Sequence, residues 1–252
     1  MTSIVRDSSI VLSRELRPLA RDPFSVVFTM VQPLVFLALF GPLLHQVTGL
    51  PTGSSLQWFV PGIIVMSALF GSSTSGSYLQ ADMKTGSHER ILVTPLGRSS
   101  LLVGRALREV VPVLGQAVVI VAVTVPFGFR IHLAGALVAL VVLAAFAVGL
   151  GSLSHALALA AKDNELMFWM VQQSLLFPLL LLSGMLLPIA GGPGWMQALS
   201  DLNPLTHVVN AQRVLFEGHI ADAAVLRGAI AAAGVLVVGV NVGIRAMRRS
   251  PA

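Results

Sequence analysis

Long uncharged apolar runs alternate with short polar segments along the chain. A helix needs about 20 apolar residues to cross roughly 30 Å of hydrocarbon, so each such run predicts a membrane span. Six runs reach that length, and they cover about 24–44, 58–79, 106–126, 133–161, 166–188 and 226–244. We therefore predict an all-α polytopic membrane protein, in which residues 1–252 form one transmembrane domain with six transmembrane helices.

The residues before the first span follow a different pattern. Val5, Leu12 and Leu16 recur at helical spacing, while the basic residues fall largely elsewhere. An amphipathic helix of this kind lies in the headgroup plane of a membrane. We predict an N-terminal interfacial helix over residues 1–23, with the charged residues Arg14, Glu15, Arg17, Arg21 and Asp22.

The segment between the fifth and sixth spans is too polar to cross a membrane. Residues 191–222 nevertheless contain short apolar patterns, which favour short helices at the outer interface. The predicted order is therefore an interfacial helix, five spans, short outer helices and the last span.

The distribution of positive charge predicts the orientation. Four Lys or Arg residues precede the first span, five lie in 80–108, one is Lys162 and three follow the last span, which makes 13 of the 16 in the chain. Cytoplasmic loops carry the excess of Lys and Arg, so both termini are predicted to be cytoplasmic. The same rule accounts for the net charge of +5, so we do not expect a nucleic-acid partner.

Composition supports a lipid environment. Hydrophobic residues make up 55% of the chain, charged residues 11%, and the mean hydropathy is +0.85. A typical soluble domain carries about 25% charged residues. A soluble fold of this length could not cover its surface with so few of them.

The chain has no motif for binding ATP through a P-loop. That motif ends in Gly-Lys-Ser/Thr, whereas the two lysines, Lys84 and Lys162, follow Met83 and Ala161. We also find no convergent catalytic or metal-ligating groups, which disfavours a membrane-embedded enzyme. A stand-alone secondary transporter would need an ionisable group deep in a span, and Glu109 is the one arguable exception.

The inner segment 80–105 holds the densest group of charges. Within it, residues 86–98 read as a short helix stopped by Pro95, followed by a turn and the start of the third span. A short rigid helix between two spans can be pushed by a cytoplasmic partner. The alternative is a solvated basic loop without such a role.

These residues carry a resemblance to a known family. The inner-loop run resembles the signature of ABC transporter permeases of the type-2 exporter class, especially the daunorubicin-resistance-like branch, and it reads Glu89-Arg90-Ile91-Leu92-Val93-Thr94-Pro95-Leu96 with Gly104-Arg105. Residues 14–23 resemble the interfacial helix of that family, and residues 193–195 and 202–206 resemble its outer segment. The matches extend over nearly the whole chain in the same order.

The resemblance implies a transporter built from several chains in the plasma membrane. It implies two permeases, identical or sister chains, and two cytoplasmic ABC ATPase subunits that bind ATP and Mg, while this chain has no cofactor and is not itself an enzyme. The implied activity is multidrug efflux and antibiotic resistance by export of hydrophobic or amphipathic compounds. Export of lipid or polysaccharide by a transporter of the same class remains the alternative.

The resemblance also assigns the coupling residues. Segment 80–105 becomes the coupling loop that docks on the ATPase, with the interfacial helix as a second contact. The residues implied for the coupling are Glu89, Arg90, Thr94, Pro95, Leu96 and Arg98.

Polar side chains inside the spans are the candidates for a substrate pathway. They are costly to expose to lipid, so they should face protein or a path through it. We select Gln32, Ser72, Ser73, Gln172 and Gln173. For the serines the alternative is helix packing, which is also the role expected for Gly239 and Gly243.

Overall fold

The computed structural model describes residues 23–44, 55–85, 98–161 and 164–249, and this part of the chain is helical without a strand. The predicted all-α fold is confirmed. Its helices are α1 (Pro23–Leu44), α2 (Ser55–Ser73), α3 (Ser75–Lys84), α4 (Arg98–Thr124), α5 (Leu133–Ala161), α6 (Glu165–Leu182), α7 (Gly194–Leu202), α8 (Pro204–Phe216) and α9 (Ala223–Arg249).

Among the described residues, five helical stretches are long and apolar enough to cross a membrane. They are Ser55–Lys84, Arg108–Phe127, Leu133–Ala161, Glu165–Leu182 and Ala223–Arg248. The first predicted span corresponds to α1, and Met30–Gly41, the part of α1 whose side chains the structure describes, forms a shorter apolar helix. The described residues therefore support a polytopic helical protein, and the count of six spans stays a prediction.

Helix α2 forms the centre of the bundle. Phe59, Ile63, Met66 and Leu69 are fully buried, and 83% of the span that begins with α2 is buried, against 22% of α6. Apolar residues occur on all sides of α2, which is the pattern of a helix enclosed by others. Helices α1, α4, α5 and α8 surround it.

The second span is interrupted, although the sequence predicts one helix over 58–79. Thr74 separates α2 from α3. The hydroxyls of Thr74, Ser75 and Ser77 donate to the carbonyls of Gly71, Ser72 and Thr74 at 2.7–2.9 Å. Hydroxyls that bond back to their own backbone bend a helix, and here they accompany its break.

The fifth span ends six residues earlier than the predicted limit at residue 188. Helix α6 stops at Leu182, because Ser183 bonds the carbonyl of Leu180 and Gly184 takes a left-handed backbone with φ of 69°. The chain then leads to α7 and α8, the short outer helices that the sequence predicts. Asn203 caps α8, since its side-chain oxygen accepts from the amide of Leu205 at 3.0 Å.

The last span packs closely on α5. A Cβ added at Gly239 of α9 would collide with the carbonyl oxygen of Gly149 on α5. Small residues allow helices to approach this closely in membranes. The packing role predicted for Gly239 is therefore confirmed.

Candidate substrate groove and coupling face

A cavity of about 520 Å³ opens between α1, α2, α4 and α6, and we call it the polar groove. Its polar side chains are Gln32, Ser67, Thr74, Gln116 and Gln173. Its other lining residues are Val31, Pro33, Val35, Phe36, Phe70, Gly71 and Phe177. Apolar and aromatic surface with a few polar groups is the usual composition of a small-molecule site.

The glutamine amides are the groups in the groove that can contact a ligand. Gln32 and Gln173 are exposed and make no hydrogen bond within the part of the chain that the structure describes. Gln116 lies at the wall, with its Oε1 3.8 Å from the position of a Cβ on Gly71, so the glycine keeps that side open. Each amide offers both donors and acceptors.

The hydroxyls of the groove are already used as donors. Ser67 donates to the carbonyls of Ile63 and Ile64, both at 3.0 Å, and Thr74 donates to Gly71 at 2.8 Å. Their oxygens keep acceptor capacity toward the groove. Because no charged residue is among the described residues that line it, the groove suits neutral hydrogen-bonding groups on an aromatic or apolar body.

The structure brings together two of the five predicted pathway residues. Gln32 and Gln173 both line the groove, whereas Ser72, Ser73 and Gln172 do not. These three are buried in helix packing, and the carbonyl of Ser73 accepts from the Ser154 hydroxyl of α5. The substrate-pathway role of all five stays a prediction.

Sequence reasoning missed Gln116. It is an uncharged amide inside an apolar run, which is the signal that identified Gln32 and Gln173. Its membership of the groove depends on how α4 packs against α2, and a helix rotation of this kind is not encoded in a hydropathy pattern.

The predicted coupling residues fall mostly outside the described residues. Glu89, Arg90, Thr94, Pro95 and Leu96 of the coupling loop lie there, as do Arg14, Glu15, Arg17, Arg21 and Asp22 of the interfacial helix. Arg98 is the first residue of α4. Their roles stay predictions.

The described residues next to the coupling loop form an ion pair between two helices. Lys84, at the end of α3, places its Nζ 2.5 Å from Oε2 of Glu165, the first residue of α6. Both side chains are about half exposed. Asn164 caps α6 by accepting from the amide of Met167 at 2.9 Å. The pair therefore joins the helix before the loop to the helix that carries Gln173.

At the opposite end of the bundle, Arg213 of α8 connects three segments. Its Nε donates to the carbonyl of Trp58 at 3.0 Å, Nη2 to the carbonyl of Gly184 at 2.8 Å, and Nη1 to Oδ1 of Asn210 at 3.3 Å. The guanidinium also lies 3.9 Å over the Trp58 ring. Burial lowers the pKa of Arg213 to about 9, so the side chain stays protonated at neutral pH.

Other polar side chains also bind backbone carbonyls near this end. Asn203 donates to Leu179 at 2.7 Å, Thr206 to Leu182 at 3.2 Å and Gln212 to Ala139 at 2.8 Å. Sequence reasoning placed these residues in an outer polar segment without assigning them a role. The hydrogen bonds join α8 to the N-terminal part of α5 and the C-terminal end of α6.

Apolar spans around a polar groove define the class of this chain, a multi-pass membrane protein. Its residues 7–216 match the model of the ABC-2 type transporter family. The chain belongs to the ABC-2 type transporter family, and the resemblance predicted from the sequence is confirmed.

Three relatives illustrate this membership. The daunorubicin resistance ABC transporter permease protein DrrB1 of Streptomyces coeruleorubidus is 27% identical over 82% of this chain and 74% of its own length. A protein of Cyanophora paradoxa, described by name as the transport permease ycf38, is 31% identical over 84% of this chain and 74% of its own. The doxorubicin resistance ABC transporter permease protein DrrC of Mycobacterium tuberculosis is 25% identical over 83% of this chain and 76% of its own length. The chain is accordingly the membrane-spanning permease of an ABC transporter.

Proposed function

We propose that this permease exports a hydrophobic or amphipathic compound, such as a drug or antibiotic, across the plasma membrane with both termini in the cytoplasm. The polar groove carries the proposal, because it offers uncharged amides beside aromatic rings within the spans. The names of the daunorubicin and doxorubicin resistance relatives support the same kind of cargo.

The energy comes from a separate chain in this proposal. The sequence lacks a P-loop, so two cytoplasmic ABC ATPase subunits would bind ATP and Mg. These subunits would dock on the coupling loop. A second permease, identical or a sister chain, would face the groove. Helices α1 and α6 flank the groove and expose apolar side chains there, among them Val35 at 46% and Phe177 at 52%, which a facing permease would cover.

Motion would reach the groove through α6. The coupling loop follows α3 directly, and α3 is joined to α6 by the Lys84–Glu165 pair. A push on the loop would shift the inner half of α6, and with it Gln173, relative to Gln32 on α1. The groove would then alternate between a narrow and a wide state.

Lipid is a second candidate cargo, and a separate observation favours it. A cavity of about 600 Å³ between α1, α2 and α4 is almost wholly apolar, with linings such as Leu37, Leu56 and Phe127 and the single hydroxyl of Thr124. An acyl chain fits such a surface better than a polar drug does.

The test is drug-stimulated ATP turnover by the permease and its ATPase in liposomes. We expect Glu89→Ala and Arg90→Ala to lower turnover, because these residues belong to the predicted coupling loop. We expect Gln173→Ala to raise the drug concentration needed for stimulation. Leu166→Ala, a change at a 70% exposed position of the same helix, is the matched control. Unchanged stimulation in all three variants would contradict the proposal.

A further inference from the structure

A third cavity lies at helices α7 and α8, and none of its lining residues belongs to the polar groove. Its volume is about 600 Å³, and we call it the outer cavity. It is enclosed by Trp58 of α2, the segment after α6, and helices α7 and α8. Four of the side chains that line it, Arg213, Asp201, Glu217 and Asn210, carry groups that can bind a charged or polar ligand.

Arg213 supplies a positive charge that has no carboxylate partner among the residues that the structure describes. Its hydrogen bonds go to the carbonyls of Trp58 and Gly184 and to the amide oxygen of Asn210. A guanidinium has five N–H donors, so about two remain. A partly buried cation without an anion is costly, and the anionic group of a ligand would relieve that cost.

Two carboxylates line the same cavity. The Asp201 carboxylate makes no hydrogen bond or ion pair with the described part of the chain. Glu217 has His219 at 3.9 Å, and that imidazole is 70% exposed. A simple anion would be repelled by these acids, and a simple cation by Arg213. A ligand carrying both charges satisfies all three groups.

Apolar residues beside the cavity indicate the rest of the ligand's structure. Leu187, Trp195 and Leu202, which flank the lining residues in sequence, are 64%, 64% and 80% exposed. Large exposed apolar side chains next to a polar cavity suit a membrane interface, where tryptophan is common. The molecule would therefore have apolar chains as well as a charged head.

We propose that the outer cavity binds the headgroup of a zwitterionic phospholipid, with its phosphate on Arg213 and its ammonium between Asp201 and Glu217. The inference rests on the proposed function only for placing this face in the outer leaflet. Binding needs neither ATP nor the ATPase, so it can fail while the transport proposal stands, and the reverse also holds.

The experiment measures lipid retention by the purified, delipidated permease in native mass spectrometry. The probes are phosphatidylethanolamine and phosphatidylglycerol with the same acyl chains. We expect the wild type to retain phosphatidylethanolamine several-fold better. Asp201→Asn/Glu217→Gln removes the ammonium partners and leaves Arg213, so the preference should disappear or reverse.

A matched control separates the cavity from general surface charge. Asp222→Asn also removes an acid next to the outer helices, but Asp222 caps α9 through the amide of Ala224 at 2.7 Å and does not line the cavity. This variant should keep the wild-type preference. Thermal melting of each variant checks that the outer helices remain folded.

Three results would overturn the proposal. The first is equal retention of the two lipids by the wild type. The second is an unchanged preference in the Asp201→Asn/Glu217→Gln variant. The third is retention of soluble glycerophosphoethanolamine without any preference between the lipids, which would assign the cavity to a soluble zwitterion.

Discussion

The two ends of α6 are held by different kinds of contact. At the C-terminal end, which the predicted orientation makes the outer one, Asn203, Thr206 and Arg213 bind the carbonyls of Leu179, Leu182 and Gly184. At the inner end, the described contacts are the fully buried Phe168, which packs in an apolar cluster with Leu79 and Ala158, and the exposed Lys84–Glu165 pair.

This difference indicates where α6 can move. Hydrogen bonds are directional, so the three outer bonds fix the position and register of the helix. Apolar packing is non-directional and exposed ion pairs contribute little, so no directional bond fixes the register of the inner end. We infer that α6 pivots about its outer end when the coupling loop is pushed.

A proline lies between the two regions. Pro178 follows Gln173 and Phe177 of the groove and precedes the carbonyls that bind α8. It removes a backbone hydrogen bond from the helix, which permits a bend at this point. Gln173 and Phe177, the residues that α6 contributes to the groove, therefore lie on the part of the helix that we infer to move.

Loss of the outer attachment should have the largest effect. Arg213→Gln leaves the carbonyls of Trp58 and Gly184 without their donor, and we expect a loss of about 2–4 kcal/mol in stability, since each buried unsatisfied group costs about 1–3 kcal/mol. Denaturant unfolding of the purified permease measures it. Arg227→Gln, at an exposed arginine of α9, is the control and should be nearly neutral. Equal effects of the two changes would mean that Arg213 does not fix the outer end.

Removal of a groove amide should affect transport without affecting the fold. Gln32→Ala or Gln173→Ala loses hydrogen bonds of about 0.5–1.5 kcal/mol, which corresponds to a decrease of roughly threefold to tenfold in cargo affinity. Drug uptake into inverted vesicles measures the change. Gln172→Ala is the informative neighbour, because this buried glutamine does not line the groove. We expect Gln172→Ala to change the unfolding midpoint and to leave the cargo affinity unchanged.

A permease with a straighter α6 should transport its cargo more slowly. Pro178→Ala allows the missing backbone hydrogen bond to form, so the helix resists bending, and we expect a several-fold lower transport rate with no loss of stability. The uptake rate at saturating drug and the unfolding midpoint are the two measurements. A wild-type rate in this variant would show that the bend at Pro178 has no part in transport.

The inner ion pair should have the smallest effect on stability and a specific effect on coupling. Lys84→Glu should change the free energy of unfolding little, because both partners are about half exposed and exposed ion pairs contribute little to stability. It places two acids together, so drug-stimulated ATP turnover should fall. The swap Lys84→Glu/Glu165→Lys should recover it. If the swap is no better than the single change, the pair does not connect α3 to α6.

Sequence patterns predicted the helices well and their three-dimensional relations poorly. The fourth predicted span, 133–161, coincides with α5, because a long uncharged run has one stable solution in a bilayer. The break at Thr74 and the early end of α6 depend on local hydroxyl and glycine geometry, which hydropathy does not record.

The sequence predicted that uncharged polar side chains inside the spans are candidates for the site, but it did not predict which of them line the groove. Polarity inside a span identified Gln32 and Gln173, and it selected Ser72, Ser73 and Gln172 equally, although these point into packing. Which face of a helix meets the groove is decided by contacts between helices that are distant in sequence. The sequence pattern assigns no role to Arg213, since its partners Trp58 and Gly184 lie far from it in sequence.

The pivot can be tested directly by distance measurements within one permease. The chain has no cysteine, so spin labels can be placed at will. An inner pair at Val31 of α1 and Leu166 of α6, and an outer pair at Phe127 and at Leu181 of α6, occupy exposed positions. In the assembled transporter, addition of ATP should shift the inner distance and leave the outer distance unchanged. A shift of the outer distance with a constant inner one would contradict the account.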